Sequence, residues 1–307
     1  MKLPGKIKLS ESGLRDGLQK EKVILTADQK LEIIQDLLDA GCRDIDVGSF
    51  VRPDKVPQMA ATPEVFQRLP AREDVIFRAL VPNMKGLERA LEVGVRQISV
   101  GISASTAHNL ANFNRTPEES ILAYGGIIAR ARDNGVTVRS SIQMAFGSPW
   151  EGVISLDQVR RLAEVYVSNG ISHVTLADTA GVAVPDQVYN YFSKLKEEYP
   201  DVEWDLHLHN TRGVAMSNMF AAMLAGVICF STSVAGLGGC PFIPEAAGNL
   251  ATEDVVHVLD EMHIETGLDI DKIIAVSRKM ERLLGHEGRS YLLRAGKTCD
   301  LIERMKR

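Results

Sequence analysis

Short apolar runs rich in β-branched residues alternate along this 307-residue chain with longer segments whose apolar positions follow a helical period. We interpret eight of the short runs as strands and the segments between them as helices. Eight strands alternating with helices over about 250 residues predict an α/β fold, a (β/α)8 TIM barrel with a closed parallel sheet. The predicted strands are Ile7–Ser10, Asp44–Gly48, Val75–Val81, Gln97–Ile102, Thr137–Met144, His173–Ala177, Trp204–His209 and Cys229–Ala235.

Capping residues mark where several of the helices begin and end. A helix predicted over Ala27–Ala40 is followed by Gly41, which suits the left-handed backbone conformation that often ends a helix. Thr116 precedes Pro117, a pair typical of a helix N-cap and a first helical position. Val184–Asp186 has a similar pattern. Further helix ends are predicted at Gly94, Gly135 and Gly170.

Two features argue against other architectures. An open doubly wound sheet would carry a glycine-rich phosphate loop in its first βα turn, and Ser12–Gly17 lacks the GxGxxG pattern. Residues 213–244 contain no charge, but polar residues, glycines and a proline interrupt the run, which favours a buried helix and strand over a membrane span. We predict one catalytic domain over residues 1–307. Its tail, residues 286–307, either forms a terminal helix or becomes ordered only on ligand binding.

The composition narrows the class of partner. Thirty-five Lys and Arg residues against 40 Asp and Glu residues give a net charge of −5, which argues against a nucleic-acid partner. This balance leaves room for a local basic patch that binds an anionic small molecule. The first residues lack the apolar core of a secretion signal, and the four cysteines form no CxxC pair. We expect a cytoplasmic protein with no membrane partner.

His207 and His209 are separated by one residue at the end of the predicted seventh strand. Residues i and i+2 of a strand point to the same face, so both imidazoles can enter the mouth of the barrel. Catalytic groups of such barrels lie where the strands end, and this brings Asp16 to the same rim. Two histidines and a carboxylate without a thiolate pair predict a Mg²⁺ or Mn²⁺ site. The alternative is two histidines that only form hydrogen bonds at a strand end.

Arg15 and Cys240 are candidates for the reaction itself, and each has a simpler interpretation. Arg15 lies beside Asp16 and either forms a salt bridge or stabilises a developing enolate. Cys240 follows a Gly-Leu-Gly-Gly run and is either a small apolar residue or a proton donor or acceptor above the metal site. We interpret Cys42, Cys229 and Cys299 as structural. Three apolar residues at and after the end of the fifth strand are pocket wall or core, with core favoured; these are Met144, Phe146 and Trp150.

Four segments together resemble the 3-hydroxy-3-methylglutaryl-CoA lyases. The segments are Ser12–Lys22, Ser49–Met59, Val234–Pro241 and Gly248–Asp254. The likeness extends from about residue 6 to about residue 285, and the last two segments distinguish these lyases from the related isopropylmalate and homocitrate synthases. The resemblance implies a TIM barrel whose active site lies at the carboxyl ends of the strands.

The resemblance also implies a role for each matching position. It implies that the divalent metal is bound by Asp16, His207, His209 and Asn249. It implies that Arg15 stabilises the enolate of the thioester product and that Cys240 belongs to an active-site loop. His207 and Asp178 complete the catalytic candidates. The substrate- and CoA-binding candidates are Gln19, Lys22, Asp46 and Glu253.

The chain departs from the pattern of these lyases at three places. Asp46 stands where they usually carry Glu, and Asn210 where they usually carry Asp. Gln143–Pro149 replaces a segment that usually contains cysteine. None of these departures removes a metal ligand, but all three alter the pocket around the acyl group. The class of reaction is therefore better determined by the sequence than the substrate is.

We predict a lyase that uses a divalent cation and no organic cofactor to cleave 3-hydroxy-3-methylglutaryl-CoA into acetyl-CoA and acetoacetate. His207 or Cys240 takes the proton of the C3 hydroxyl, the C2–C3 bond breaks, and Arg15 holds the enolate charge. One alternative is a related lyase acting on a longer 3-substituted glutaryl-CoA or on citramalyl-CoA. Another is a non-catalytic homologue that binds CoA or metal. The resemblance also implies a homodimer.

Overall fold

Eight parallel strands close into a barrel, which confirms the predicted fold class. This computed structural model describes residues 3–243 and 246–306. Each predicted strand is present within three residues of its expected bounds. The barrel strands are β1 (Lys8–Glu11), β2 (Asp44–Ser49), β3 (Ile76–Leu80), β4 (Gln97–Ser103), β5 (Thr137–Gln143), β8 (His173–Asp178), β9 (Glu203–Leu208) and β10 (Cys229–Thr232). A small antiparallel hairpin follows β5 and consists of β6 (Gly147–Ser148) and β7 (Gly152–Val153).

The order of strands around the barrel is β1-β10-β9-β8-β5-β4-β3-β2, so each strand lies beside its neighbour in the chain apart from the inserted hairpin. Helices connect the strands, as parallel neighbours require. The helices are α1 (Ala27–Asp39), α2 (Thr62–Arg68), α3 (Met84–Glu92), α4 (Thr106–Phe113), α5 (Pro117–Asp133), α6 (Leu156–Ser168), α7 (Pro185–Glu198), α8 (Ala215–Leu224), α9 (Thr252–Glu261), α10 (Ile270–Leu284), α11 (Tyr291–Ala295) and α12 (Thr298–Met305).

The predicted cap Thr116 lies at a real helix start, and so does Thr26, which was not predicted. Thr26 and Thr116 each accept a hydrogen bond from the backbone of the third residue of their helix, and each forms a reciprocal capping box. Helix α7 begins at Pro185, as its proline predicts. Gly41 ends α1 at a φ of +98°, where a Cβ would lie 2.2 Å from the carbonyl oxygen of Gly267. Only glycine fits that approach.

A positive φ lies just beyond the ends of two strands that finish before their predicted bounds. The fifth strand ends at Gln143 because Met144 adopts a φ of +53°, and the eighth ends at Thr232 before a short helical turn over Val234–Gly236. Within that turn Ala235 has a φ of +57°. Buried apolar residues continue past both strand ends, so hydropathy alone does not reveal where the backbone turns.

The interior of the barrel carries ion pairs near the amino-terminal ends of its strands. Arg139 on β5 donates to Asp44 on β2, although two strands lie between them in the barrel order, so the contact crosses the lumen. Arg78 on β3 also pairs with Asp44. On β8 and β9, His173 lies 3.0 Å from the Glu203 carboxylate. Most apolar packing therefore lies between the strands and the surrounding helices.

Residues 213–244 contain helix α8 and strand β10 as predicted. Within residues 3–243 and 246–306, no helix combines the length and apolar character needed to cross a bilayer. The tail contains α11 and α12, and Asp254 accepts hydrogen bonds from Ser290 and from the backbone of Leu292. Two expectations were wrong: Trp150 is 48% exposed on the hairpin rather than core, and Cys299 is exposed on α12.

Candidate active site

The turn that follows β1 carries Arg15 and Asp16. This turn, Gly13–Gly17, is one π-helical turn, and the buried Glu11 at the end of β1 holds it in place. The Glu11 carboxylate accepts hydrogen bonds from the backbone N–H groups of Gly13 (2.7 Å) and Val234 (3.0 Å). One side chain therefore ties the start of the turn to the segment that follows β10.

His207 and His209 meet Asp16 at the mouth of the barrel. Their Nε2 atoms lie 3.3 Å apart, and these atoms lie 3.9 and 3.8 Å from Oδ2 of Asp16. All three residues are buried. The i, i+2 spacing therefore aims both imidazoles at one carboxylate, as the sequence predicts. The Nδ1 atom of His209 lies 3.3 Å from the carbonyl oxygen of Ala247, a contact that holds its Nε2 toward the cluster.

Asn249 joins this cluster because the chain folds back after β10. His209 and Asn249 form an antiparallel bridge, and the backbone N–H of Leu250 donates to the carbonyl of Leu208 at 3.1 Å. The side-chain Nδ2 of Asn249 donates to Asp16 at 2.8 Å and to the carbonyl of Leu237 at 3.0 Å. The fourth predicted ligand therefore lies in contact with the first.

The chemistry of the cluster fits a divalent cation. The Oδ1 atom of Asn249 is buried and has no hydrogen-bond partner among residues 3–243 and 246–306. Two imidazole nitrogens also face one carboxylate oxygen. An unpaired amide oxygen, two imidazoles and a carboxylate form the donor set that a hard or borderline divalent ion accepts. These four residues are therefore the ones that would hold it.

The ionisation states of these side chains suit ligation. Burial lowers the pKa of His207 to about 4, against the raising effect of Asp16, so the imidazole is neutral near pH 7. Burial alone would raise the pKa of Asp16, but Arg15 and the two histidines lower it to about 2. A neutral imidazole and an ionised carboxylate are the forms that bind metal.

Arg15 is fixed between two carboxylates beside the cluster. Its Nε donates to Asp46 Oδ2 at 2.8 Å, and its Nη1 donates to Asp16 Oδ1 at 2.7 Å. Burial would lower the pKa of Arg15, but Asp46 and Asp16 raise it above its usual value, so the group keeps its charge. The two interpretations of Arg15, a salt bridge and a group that stabilises an enolate, are thus compatible. The salt bridges orient a permanent cation next to the candidate metal ligands.

The segment that carries Cys240 lies close above the ligands. Gly238 has a φ of +121°, and a Cβ there would lie 2.4 Å from Asn249 Nδ2 and 3.1 Å from Asp16 Oδ2. Glycine is therefore needed where the backbone crosses the cluster. Cys240 is 5% exposed and packs in a small apolar cluster with Met144 and Ala180. The exposed Lys20 donates to the Cys240 carbonyl oxygen at 3.3 Å.

The predicted substrate- and CoA-binding residues do not all reach the cluster. Gln19 donates to Asp16 at 3.1 Å and so supports a ligand, and Asp46 contacts Arg15. Lys22 is exposed in the loop that follows β1. Glu253 is fully buried behind the loop and accepts from the backbone of Ala235 at 3.1 Å. Its position anchors the turn before Cys240 rather than facing a ligand.

Asp178, predicted as catalytic, holds a loop with both of its oxygens. The backbone N–H groups of Val182 and Ala183 donate to it at 2.9 and 3.1 Å, and burial raises its pKa. Asn210 accepts from the backbone N–H of Ala215 at 3.2 Å at the start of α8. Its amide thus supports a helix beside the site rather than the four-residue cluster.

Two residues of the site lie outside the sequence prediction. Glu11 is the acid that joins the loops after β1 and β10, and its only sequence signal is its position at a predicted strand end. His108 lies on α4, and its Nε2 is 3.8 Å from Cys240 Sγ. An isolated histidine two residues into a helix offers no pattern that pairs it with a cysteine 132 positions away.

Comparison with known proteins identifies the family of this chain. The sequence model described as HMGL-like matches residues 6–280. The chain belongs to the HMGL-like family. A solved HMG-CoA lyase from Acinetobacter baumannii, in complex with coenzyme A and 3-methylmalate, superposes with a TM-score of 0.93 at 38% identity. The match covers 96% of this chain and 97% of that one.

Two curated relatives in the HMGL-like family carry different substrate names. The (R)-citramalyl-CoA lyase of Chloroflexus aurantiacus is 39% identical over 292 residues, which is 92% of each chain. The hydroxymethylglutaryl-CoA lyase of Bacillus subtilis is 37% identical over 285 residues, covering 93% of this chain and 95% of that relative. Both names describe lyases of CoA esters. The family is therefore established, and the two names differ in the acyl group.

Proposed function

We propose that this HMGL-like protein cleaves 3-hydroxy-3-methylglutaryl-CoA into acetyl-CoA and acetoacetate with the help of a divalent cation. The observation that carries the proposal is the cluster of Asp16, His207, His209 and Asn249 with the guanidinium of Arg15 beside it. A bound cation supplies a Lewis acid for the substrate's hydroxyl and carboxylate oxygens. Arg15 supplies a fixed charge for the oxygen that becomes negative.

Asp46 is our candidate for the base. Its Oδ2 accepts from Arg15, and its buried Oδ1 has no hydrogen-bond partner among the described residues. This oxygen can accept the proton of the C3 hydroxyl. His207 was the earlier candidate, but its Nε2 faces Asp16 and His209, where it serves as a ligand. A ligating nitrogen has no lone pair left for a proton, so we assign the base to Asp46.

The remaining steps of the proposed cleavage return to the enzyme the one proton that Asp46 takes from the substrate. When the hydroxyl proton moves to Asp46, the C2–C3 bond breaks and its electron pair remains on C2 as the enolate of acetyl-CoA. Arg15 holds the negative charge of that enolate oxygen, and the thiol of Cys240 gives its proton to C2. The proton on Asp46 then returns to the sulfur through water. Lys20 and Lys22, which are exposed beside the mouth, are our candidates for the CoA phosphates.

A second candidate substrate is (R)-citramalyl-CoA, which yields acetyl-CoA and pyruvate in the same reaction. It is favoured by the 39% identity to the Chloroflexus aurantiacus enzyme. The two acyl groups differ by one methylene between the carbinol carbon and the free carboxylate. The same four ligands and Arg15 serve both substrates, so the cluster does not choose between them.

The test compares kcat/KM for both CoA esters with metal-loaded protein. A ratio of at least about tenfold in favour of the methylglutaryl ester supports our first assignment, since one methylene is worth about 10- to 200-fold in discrimination. A ratio in favour of the citramalyl ester would replace the first assignment with (R)-citramalyl-CoA as the substrate. Folded, metal-loaded protein that cleaves neither ester would contradict both.

A further inference from the structure

His108 lies against the thiol of Cys240 in the cover of the site. The imidazole is 1% exposed, and its Nε2 is 3.8 Å from Sγ, within the range of a sulfur hydrogen bond. Its Nδ1 is buried and has no hydrogen-bond partner within residues 3–243 and 246–306. An imidazole is costly to bury with so few polar contacts. Among the described residues, the Cys240 thiol is the one side chain within hydrogen-bond distance of the ring.

The surroundings hold this ring in one orientation. Phe242 packs edge-on against it with ring centroids 5.7 Å apart, and Trp150 lies 6.2 Å away on another side. The backbone N–H of His108 donates to the cap residue Ser105 at 3.0 Å. Glu151 in turn accepts from Ser105 Oγ at 2.6 Å. Helix α4 and the β6–β7 hairpin therefore present Nε2 to the sulfur together.

We propose that His108 is a positioning residue that pairs with Cys240, orienting the thiol and donating a hydrogen bond from Nε2 to the thiolate that forms. This inference rests on the proposed function in the role it gives Cys240. The thiol proton passes to C2 of the enolate, the sulfur keeps the electron pair, and the Nε2–H proton stays on His108. The sulfur is later reprotonated by the proton taken from the substrate hydroxyl, so no other reactant is needed.

The charges around the pair are compatible with this role. Burial lowers the pKa of His108 to about 4, although Glu151 opposes the change, so the ring is neutral near pH 7. Burial also raises the pKa of Cys240, with Asp16 raising it further and Lys20 lowering it. A buried thiolate needs a donor close to the sulfur, and a neutral Nε2–H tautomer is one. His108 can therefore donate to the thiolate while its own ring stays neutral.

The test is the alkylation rate of Cys240 by iodoacetamide in the Mg²⁺-loaded protein across pH, followed on the Cys240 peptide by mass spectrometry. In His108→Phe the ring remains but the donor is lost. We expect alkylation at pH 7.5 to slow about tenfold or more and the midpoint of the profile to move to higher pH. A change in how often the loop that carries Cys240 opens would scale the alkylation rate equally at every pH. The midpoint of the pH profile therefore reports the hydrogen bond.

Three further variants sharpen the result. His108→Gln restores a donor near the position of Nε2 and should recover most of the wild-type profile. His108→Asn, whose amide falls short of the sulfur, should match His108→Phe and serves if the latter does not fold. Trp150→Phe alters the packing of the ring without touching the thiol and should leave the midpoint unchanged. In active enzyme, His108→Phe should lower kcat at least tenfold with little change in KM.

The outcomes separate this inference from the proposed function. Alkylation needs no substrate, so a shifted midpoint in a protein that cleaves neither CoA ester would sustain the pair and reject the lyase assignment. A wild-type midpoint in folded His108→Phe and His108→Asn would overturn the pair. An unchanged kcat in His108→Phe of an active lyase would overturn its positioning role.

Discussion

At the scale of single residues, Arg15 is the group to which the proposed function assigns a charge used mainly in the transition state. The carboxylates of Asp46 and Asp16 hold it at 2.8 and 2.7 Å, so it is preorganised and needs no movement when the enolate forms. Preorganised donors of this kind act on developing charge rather than on the bound substrate. Arg15 should therefore affect turnover more than affinity.

Replacing Arg15 by Met should lower kcat by about 10²- to 10³-fold and change KM little, because the lost interaction forms in the transition state. Arg15→Lys keeps a positive charge but loses the forked guanidinium that bridges two carboxylates. Its kcat should therefore lie between those of the wild type and Arg15→Met. Steady-state kinetics of both variants, with Mn²⁺ binding measured in parallel, checks this. A kcat like that of the wild type in Arg15→Met would remove Arg15 from the chemistry.

The residue scale also shows what the sequence can reveal. The spacing of His207 and His209, together with Asp16 at another strand end, was enough to predict a cluster that the structure brings together. Asn249 required the resemblance, because its position depends on the chain folding back after β10. Glu253 followed from the same resemblance, but its carboxylate is buried behind the loop. Sequence position does not reveal which way a side chain near a ligand points.

At the scale of elements, the Gly-Leu-Gly-Gly segment determines how closely Cys240 approaches the ligands. Gly238 crosses directly above Asn249 and Asp16, and the next glycine also has a positive φ, of +135°. Any side chain at Gly238 must displace the metal ligands or lift the segment. The segment and the cluster are thus packed closely against each other.

Gly238→Ala should weaken Mn²⁺ binding about tenfold or more and abolish most turnover, because its Cβ would lie 2.4 Å from Asn249 Nδ2. Gly213→Ala is the matched control: it also has a positive φ, of +71°, but no heavy atom lies within 4 Å of its Cβ. Calorimetric titration with Mn²⁺ distinguishes backbone strain from the clash. Equal affinity in both variants would mean that the segment does not press on the ligands.

Element boundaries were predicted where local chemistry sets them. N-terminal signals located the starts of α5 and α7, the apolar period located α1, and glycines located several helix ends. The ends of β5 and β10 were predicted too late, because Met144 and Ala235 turn into positive φ while remaining buried. Tertiary contacts, such as the hydrogen bond from Ala235 to Glu253, stabilise those turns, and no local pattern encodes them.

At the scale of the whole molecule, the barrel separates two kinds of polar site. The carboxyl ends of the strands hold the candidate metal ligands, Arg15 and Cys240. The amino-terminal ends hold a set of ion pairs, one of which, between Arg139 and Asp44, crosses the lumen. His173 and Glu203 belong to the second set, at 3.0 Å, and Asp205 lies 3.8 Å from the other nitrogen of His173. These groups contribute to stability rather than to the site.

The ion pairs of His173, Glu203 and Asp205 form a layer at the amino-terminal ends of the strands, and this layer predicts how the free energy of unfolding depends on pH. Although burial lowers it, the carboxylates of Asp205 and Glu203 raise the pKa of His173 above 6.5. The contribution of His173 is therefore complete below that pH and is lost as pH rises through the folded-state value. The hydrogen bond from His173 lowers the pKa of Glu203 below 4.5, so its contribution is lost only in acid. The layer is therefore most stabilising between about pH 4.5 and 6.5.

The difference in free energy of unfolding between wild type and His173→Gln should be largest near pH 5.5 and shrink toward pH 8.5. Urea titrations at several pH values, each with the same metal concentration, measure this difference. Because the other buried acids occur in both proteins, their titration cancels. A difference that stays constant or grows with rising pH would show that His173 is not held as a cation in the barrel.

The central claim is that four residues at the mouth of the barrel hold a divalent cation that cleavage of an acyl-CoA requires. Its most direct test is the release of acetyl-CoA from 3-hydroxy-3-methylglutaryl-CoA by purified, reduced protein, with Mg²⁺ or Mn²⁺ and then with EDTA. We predict rapid release that EDTA abolishes and excess Mg²⁺ or Mn²⁺ restores. Release that persists in EDTA, or no release from this ester or citramalyl-CoA by folded, metal-loaded protein, would contradict the claim.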